Sequence, residues 1–147
     1  MKFLGIDLGE KRIGLSISDE LGITAQGLPT ISSTNEEENF KKIKIILNQY
    51  NIERIILGLP KNMNGTLGKQ AEKVLSFAQK IKENYQIPIE FEDERLSTLK
   101  AEKMLIQADQ SRKKRKKNID KISAIIILQT YLDRRMMKKE LKNEPHS

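Results

Sequence analysis

The 147-residue chain contains no cysteine. That excludes a disulfide framework, a thiolate metal site and a cysteine nucleophile, and it fits a reducing compartment. Histidine is nearly absent as well: the single one, His146, sits in a polar tail, a poor position for a general base. Three tyrosines and four phenylalanines are the only aromatic residues, and most fall on apolar faces. A base-stacking platform of the RNA-recognition-motif kind is therefore not expected. No apolar run approaches the roughly 18 residues needed to cross a bilayer. The opening Met1-Lys2-Phe3-Leu4-Gly5-Ile6-Asp7 meets a glycine and an aspartate too early for a signal peptide. A cytoplasmic protein without membrane contact is the expectation.

What is abundant is positive charge. The net charge is +7, which favours anionic partners, nucleic acid first. The segment Arg112, Lys113, Lys114, Arg115, Lys116 and Lys117 holds six of these charges, and removing them from +7 leaves +1. The basic character is largely one local device.

A chain of this length suggests one domain, here residues 1–137, followed by a polar tail over 138–147 that should fray. Phe3, Leu4, Ile6 and Leu8 form a strand buried on both faces. Ile13, Leu15 and Ile17 alternate with Gly14, Ser16 and Ser18, a period-two strand joined to the first by a short hairpin. A third strand covers Ile23 to Ile31, disturbed by Gly27 and Pro29. Asn35 before three glutamates starts a helix. Arg54 to Leu57 is a buried strand, and Thr66 can cap a helix carrying Leu67, Ala71, Val74, Leu75, Ala78 and Ile81. Ile87, Ile89 and Phe91 make a fifth strand, and Ser97 or Thr98 caps the next helix. A polar, basic loop then leads to a last helix carrying Ile119, Ile122, Ile126 and Leu132. This order predicts an α/β fold: a mixed five-stranded sheet, an antiparallel meander followed by parallel strands, flanked by helices.

Three acidic positions stand out against that pattern. Asp7 lies in an apolar strand, where a charge is costly unless paired or metal-bound; its plainer reading is a turn aspartate beside Gly9. Asp93-Glu94-Arg95 follows the fifth strand, and neighbouring strand residues point to opposite faces, so only one acid should face a shared site. The plainer reading is an exposed acidic strand end, with Glu90 and Glu92 nearby. Asp120 begins an apolar helix on the same face as Ser123, Ala124 and Ile127, where it could equally serve the helix dipole. The topology can bring these carboxylates together. Their mutual repulsion would be relieved by magnesium or manganese, two ions about 3.5–4 Å apart being an arrangement suited to phosphodiester hydrolysis.

Four segments in order resemble the YqgF (RuvX) family of ribonuclease-H-like nucleases. They are Leu4-Gly5-Ile6-Asp7-Leu8-Gly9 with Gly14; Leu57 through Thr66; Asp93-Glu94-Arg95-Leu96-Ser97-Thr98; and Ile119-Asp120-Lys121-Ile122-Ser123-Ala124. The resemblance runs from about Met1 to Asp133. It implies a ribonuclease-H-like fold and assigns Asp7, Glu94 and Asp120 as catalytic, metal-binding carboxylates holding Mg2+ or Mn2+, with Asp93 the lesser choice at the middle position. Glu10 and the pair Lys121-Ile122 depart from the usual pattern without removing a carboxylate. Members of the family have been described as nucleases maturing the 5′ end of pre-16S ribosomal RNA and, by analogy of fold, as Holliday junction resolvases. The first description ranks above the second here.

The substrate-binding candidates are Lys61 and Asn62 in the loop after the fourth strand, Arg95, and the run Arg112 to Lys117 as a phosphate-binding, sequence-blind surface. Pre-ribosomal RNA is the expected partner, a DNA junction the alternative, with monomer or homodimer left open. Two other classes share some of these features. A sugar-kinase-type phosphotransferase also uses Asp-x-Gly at a first hairpin but needs a second domain, and a non-catalytic nucleic-acid module would not need the three acids.

Overall fold

The computed structural model describes residues 1–32, 35–108 and 111–143, with the side chains at 96–98, 116, 117 and 143 outside the description. His146 and the end of the tail also lie outside the described residues. Five strands, β1 (Lys2–Leu8), β2 (Ile13–Ser18), β3 (Ala25–Ile31), β4 (Ile52–Leu59) and β5 (Ile89–Asp93), form one sheet in the order β3-β2-β1-β4-β5. β1 to β3 pair antiparallel, and β4 and β5 run parallel to β1. The helices are α1 (Glu36–Gln49), α2 (Lys69–Asn84), α3 (Arg95–Gln107) and α4 (Arg112–Asn143). This is the mixed α/β sheet expected, with β1 at its centre.

The period of two in β1 and β2 sorts the faces. Leu4, Ile6, Leu15 and Ile17 join Ile55 and Leu57 against Ile43 and Leu47 of α1 and Val74, Ala78 and Ile81 of α2. The other face carries Phe3, Gly5, Asp7, Gly14, Ser16 and Ser18, all buried. It is covered by α4, whose Ile127, Leu128, Tyr131 and Leu132 pack on Phe3 and Ile56. Small residues on this face let the helix approach the backbone, and Ser16 Oγ donates a 2.7 Å hydrogen bond to the Ala124 carbonyl.

Several element boundaries differ from expectation. β3 starts at Ala25, because the Asp19 carboxylate accepts from Ile23 N (2.8 Å) and folds the preceding segment into a turn. Its register shift opposite Ile13 and Leu15 falls where Pro29 offers no N–H. Thr66 does not cap α2. Gly68 is the N-cap, while Thr66 N and Oγ1 both donate to Asn64 Oδ1; Leu67 and Leu75 are exposed. α3 starts at Arg95, ahead of Ser97 and Thr98, with Asp93 Oδ1 accepting from Arg95 N at 3.0 Å.

The largest correction concerns the basic run. Arg112 to Lys117 is no loop but the opening of α4. Lysine and arginine are good helix formers, no glycine or proline interrupts residues 112–143, and Ser111 Oγ accepts from Lys114 N at 3.3 Å as an N-terminal cap. The helix also continues through Asn143, into the segment read as a polar tail.

Candidate active site

Asp7, Glu94 and Asp120 come from three elements and meet on the α4 face, at the carboxyl ends of β1 and β5. Asp7 pairs in register with Gly14 of β2. A Cβ on Gly14 would overlap the Asp120 carbonyl, and one on Gly9 would lie 2.6 Å from Asp120 Oδ1. On the other side of β1, a Cβ on Gly58 would lie 2.5 Å from Glu94 Oε2 and 2.6 Å from Ile127 Cδ1. Three glycines thus form the floor on which two of the carboxylates rest, and any side chain there would displace them. Gln70 of α2 anchors the end of β1 from the other face, its Nε2 donating to the Leu8 carbonyl at 2.6 Å.

The three acids crowd one another, Asp7 and Glu94 buried and Asp120 half-buried. Asp7 is 5% exposed and Glu94 8%. Burial, then the proximity of Glu94, holds the Asp7 pKa well above the usual carboxylate range. Burial also raises Glu94; the hydrogen bond from Asp7 pulls it down, while Asp120 and Asp93 push it up. The two carboxyls lie within hydrogen-bonding reach and titrate as a pair. Burial and then Asp7 push Asp120 up to about 6, with Arg12 pulling the other way. Arg12, in the β1–β2 hairpin, is a cation acting on Asp120 that was not among the expected site residues. Its signal was a basic residue in the hairpin directly after Asp-x-Gly.

Asp93 belongs to a different arrangement. Its carboxylate takes three side-chain contacts from Arg95, the shortest 2.7 Å, and Arg95, followed by Lys61, keeps it below the usual range. Glu92 and Glu90, read as an exposed acidic strand end, are paired too. Glu92 is buried and held in a two-pronged bridge by Arg134 (2.8 and 2.6 Å), and Glu90 bridges Arg54 at 2.6 Å.

The predicted substrate contacts separate in the same way. Arg95 is committed to Asp93 and reaches the Met63 carbonyl at 3.4 Å. Asn62 builds the turn after β4, donating from Nδ2 to Thr66 Oγ1 at 3.0 Å and from its backbone N to the Thr66 carbonyl. Arg112, Lys113 and Lys114 are exposed on the first turn of α4 and Arg115 half-buried, between about 7 and 12 Å along the helix axis from Asp120. The side chains of Lys116 and Lys117 lie outside the described residues.

Buried carboxylate oxygens that repel one another suit a hard divalent cation. Among the described residues no three acids close around a single point as they stand. Binding a cation here would favour the ionised forms that burial and crowding disfavour, so metal affinity should rise with pH.

A β3-β2-β1-β4-β5 sheet with carboxylates at the ends of β1 and β5 and on a covering helix defines a ribonuclease-H-like domain. Solved structures agree on the fold. A Thermus thermophilus RuvC in complex with a Holliday junction substrate superposes with a TM-score of 0.58 at 13% identity, covering 92% of this chain and 96% of that one. A fowlpox virus resolvase bound to Holliday junction DNA gives 0.59 at 16% identity, over 92% and 99%. The family model RuvX, described as Holliday junction resolvase, matches residues 1–134. The chain is 56% identical over 133 residues to a protein of Desulforamulus reducens, covering 90% of this chain and 97% of the other. It is 53% identical to one of Clostridium acetobutylicum, over 90% and 98%. Both relatives bear the name "Putative pre-16S rRNA nuclease". The chain belongs to the RuvX family, whose members are nucleases, hydrolases acting on ester bonds.

Proposed function

We propose that this protein is a divalent-metal-dependent nuclease that trims the 5′ end of pre-16S ribosomal RNA in the cytoplasm, with Asp7, Glu94 and Asp120 as its metal ligands. The observation that carries the mechanism is the convergence of three acids, Asp7 and Glu94 buried and Asp120 half-buried, whose proximity and burial raise their pKa values. Such crowding destabilises a fold and marks a functional site. The substrate comes from the names of relatives that match nearly end to end. No helix of the described residues is long and apolar enough to cross a membrane.

Bound Mg2+ or Mn2+, as a pair, would supply an activated water and stabilise the leaving oxygen. The chain's own residues prepare that chemistry. The glycine floor fixes Asp120 and Glu94 at either side of Asp7. Burial keeps the acids in a low-dielectric recess, where their attraction for a cation is strong. Arg12 offers a positive charge to a phosphate approaching along the hairpin. The exposed start of α4 attracts the backbone without reading sequence.

The test sets a precursor ribosomal RNA fragment beside a four-way DNA junction, each with magnesium, with manganese and with chelator. Metal-dependent trimming of the RNA is the expected result. Faster, paired incision of the junction would favour the resolvase reading, which the family description and the two resolvase folds support. Cleavage of neither substrate would overturn the proposal.

A further inference from the structure

We propose that the cleft between α3 and α4, beside Glu94, is a subsite for one unstacked base of the substrate, next to the phosphate that is cut. The inference rests on the nuclease reading and adds to it a requirement for an unpaired nucleotide at the cleavage point.

The cleft holds about 540 Å3, within the range of small-ligand pockets. Met63, Ile126 and Ile127 give it apolar walls, the Thr130 hydroxyl stands at its edge, Asp93 and Glu92 line it with carboxylates held by Arg95 and Arg134, and Lys100 contributes a cation. Apolar surface suits the face of a base, the oxygens suit exocyclic amino groups, and the cation suits the backbone. Lys100 forms no ion pair among the described residues, so its charge is available. Asp93 and Arg95 are fixed by their mutual bridge, and Arg95 ties the loop carrying Met63 to this wall. The cleft is built before any ligand arrives.

Position links the cleft to the carboxylates. Ile127 forms part of its wall, and the Ile127 Cδ1 and Glu94 Oε2 both crowd the space above Gly58. Asp93 and Arg95 flank Glu94 in the chain. A base seated here places its own phosphate at the recessed acids. Asp7 and Glu94 are so little exposed that a phosphate must descend to reach them. In an intact duplex the bases face inward and hold the backbone outside. Turning one nucleotide out lets the backbone dip, and a single strand or loop does this at least cost.

Two measurements test the proposal. The first is methyl NMR of the wild-type chain, without metal, titrated with adenosine, guanosine, cytidine and uridine monophosphates, with ribose 5-phosphate and inorganic phosphate as controls. The Ile126 and Ile127 methyl signals should shift with at least one nucleotide and with neither control. The second is Thr130→Trp, which fills the cleft from its exposed edge. Its kcat/KM on a single-stranded substrate should fall about tenfold or more. An abasic nucleotide beside the cut should give the same loss on wild type and little further loss on the variant. Methyl signals that stay still with every nucleotide, or an abasic substrate cut at the full rate, would overturn the subsite. Methyl shifts without cleavage of any substrate would break the nuclease reading instead, so the two failures are distinct.

Discussion

Four acids lie within five residues, Glu90, Glu92, Asp93 and Glu94, and the structure divides them sharply. The first three each have an arginine: Arg54, Arg134 and Arg95. Glu94 turns to Asp7 and Asp120 and is raised rather than lowered for it. Burial does not make the distinction, since Glu92 and Glu94 are equally buried. The charge of the neighbours does. Acids with dedicated cations serve the fold, Glu92 tying β5 to α4 and Glu90 tying β5 to β4; acids grouped with one another are costly to the fold and have their use in binding something positive.

The sharpest break of that comparison is removal of one grouped acid. Asp7→Asn should lower metal-dependent cleavage by at least about 10^3-fold while raising the melting temperature of the metal-free protein, because a neutral amide removes one of the crowded acids. Glu94→Gln should behave alike. Asp93→Asn should cost far less, about tenfold at most, the loss expected when the wall of the base cleft is disturbed. Cleavage that survives Glu94→Gln but not Asp93→Asn would reverse the assignment of the two neighbours. Metal removal comes next: chelator should bring wild type close to inactivity, magnesium or manganese should restore it, and calcium should restore it poorly because its looser shell misplaces the water.

A smaller effect follows from pH. Asp120 has its folded pKa raised to about 6, so the folded state holds a proton that the unfolded chain has released. Its contribution is fully present below the ordinary carboxylate range and is lost as pH rises through about 6. Allowing for solvent screening on its open side, the loss is about 1–2 kcal/mol. Asp7 and Glu94, raised as well, act in the same direction. Thermal melts in chelator should therefore show a fall in stability that begins near pH 4 and, for Asp120, is complete just above pH 6, and magnesium should flatten it. A metal-free protein that becomes more stable over that interval would contradict the crowding argument.

The paired acids should answer differently. Arg134→Ala strands a buried Glu92, but Arg134 is half exposed, so the cost is about 1–2 kcal/mol. Melting should register it, with kcat unchanged. A loss of kcat at unchanged stability would move Glu92 into the catalytic group.

The sheet and the singular position of Asp7 were legible because period-two patterning and a charge inside an apolar strand are local signals, whereas the choice of Glu94 over Asp93 and of Asp120 leaned on the family resemblance. Legible too was the Asn35 cap, which accepts from Glu38 N at 3.2 Å. What stayed hidden depended on partners distant in sequence. Nothing near Glu92 announces Arg134, forty-two positions away. The glycines at 9, 14 and 58 read as turn or strand residues, and only a covering helix makes them a floor. The alternation of apolar residues with Gly14, Ser16 and Ser18 does not reveal that its small face is buried too. At Arg112–Lys117 the charge density suggested a loop, although lysine and arginine favour helix; propensity and the Ser111 cap outweighed it.

That correction reshapes the last and smallest effect on turnover. Arg112 to Lys117 is the cationic counterpart of the grouped acids: like charges side by side, placed at the positive end of a helix dipole, with no acid in the first turn. The dipole and the neighbours both disfavour them, each charge costing a few tenths of a kcal/mol. A polyanion relieves this strain, which gives the run a reason to exist as a binding surface. On a helix, residues three and four apart share a face, so one backbone meets only some of the six. The log–log salt slope should then fall well short of the limit of about −0.9 per charge for duplex, or −0.7 for single strands. Replacing the run with glutamine keeps the helix, as serine and glycine would not. The variant should melt slightly higher, bind RNA and DNA more weakly without changing the cut position, lose part of its salt slope, and keep kcat near wild type. Binding and single-turnover cleavage across a salt series measure all of these together, and an unchanged affinity and slope would return the run to a solvated helix end.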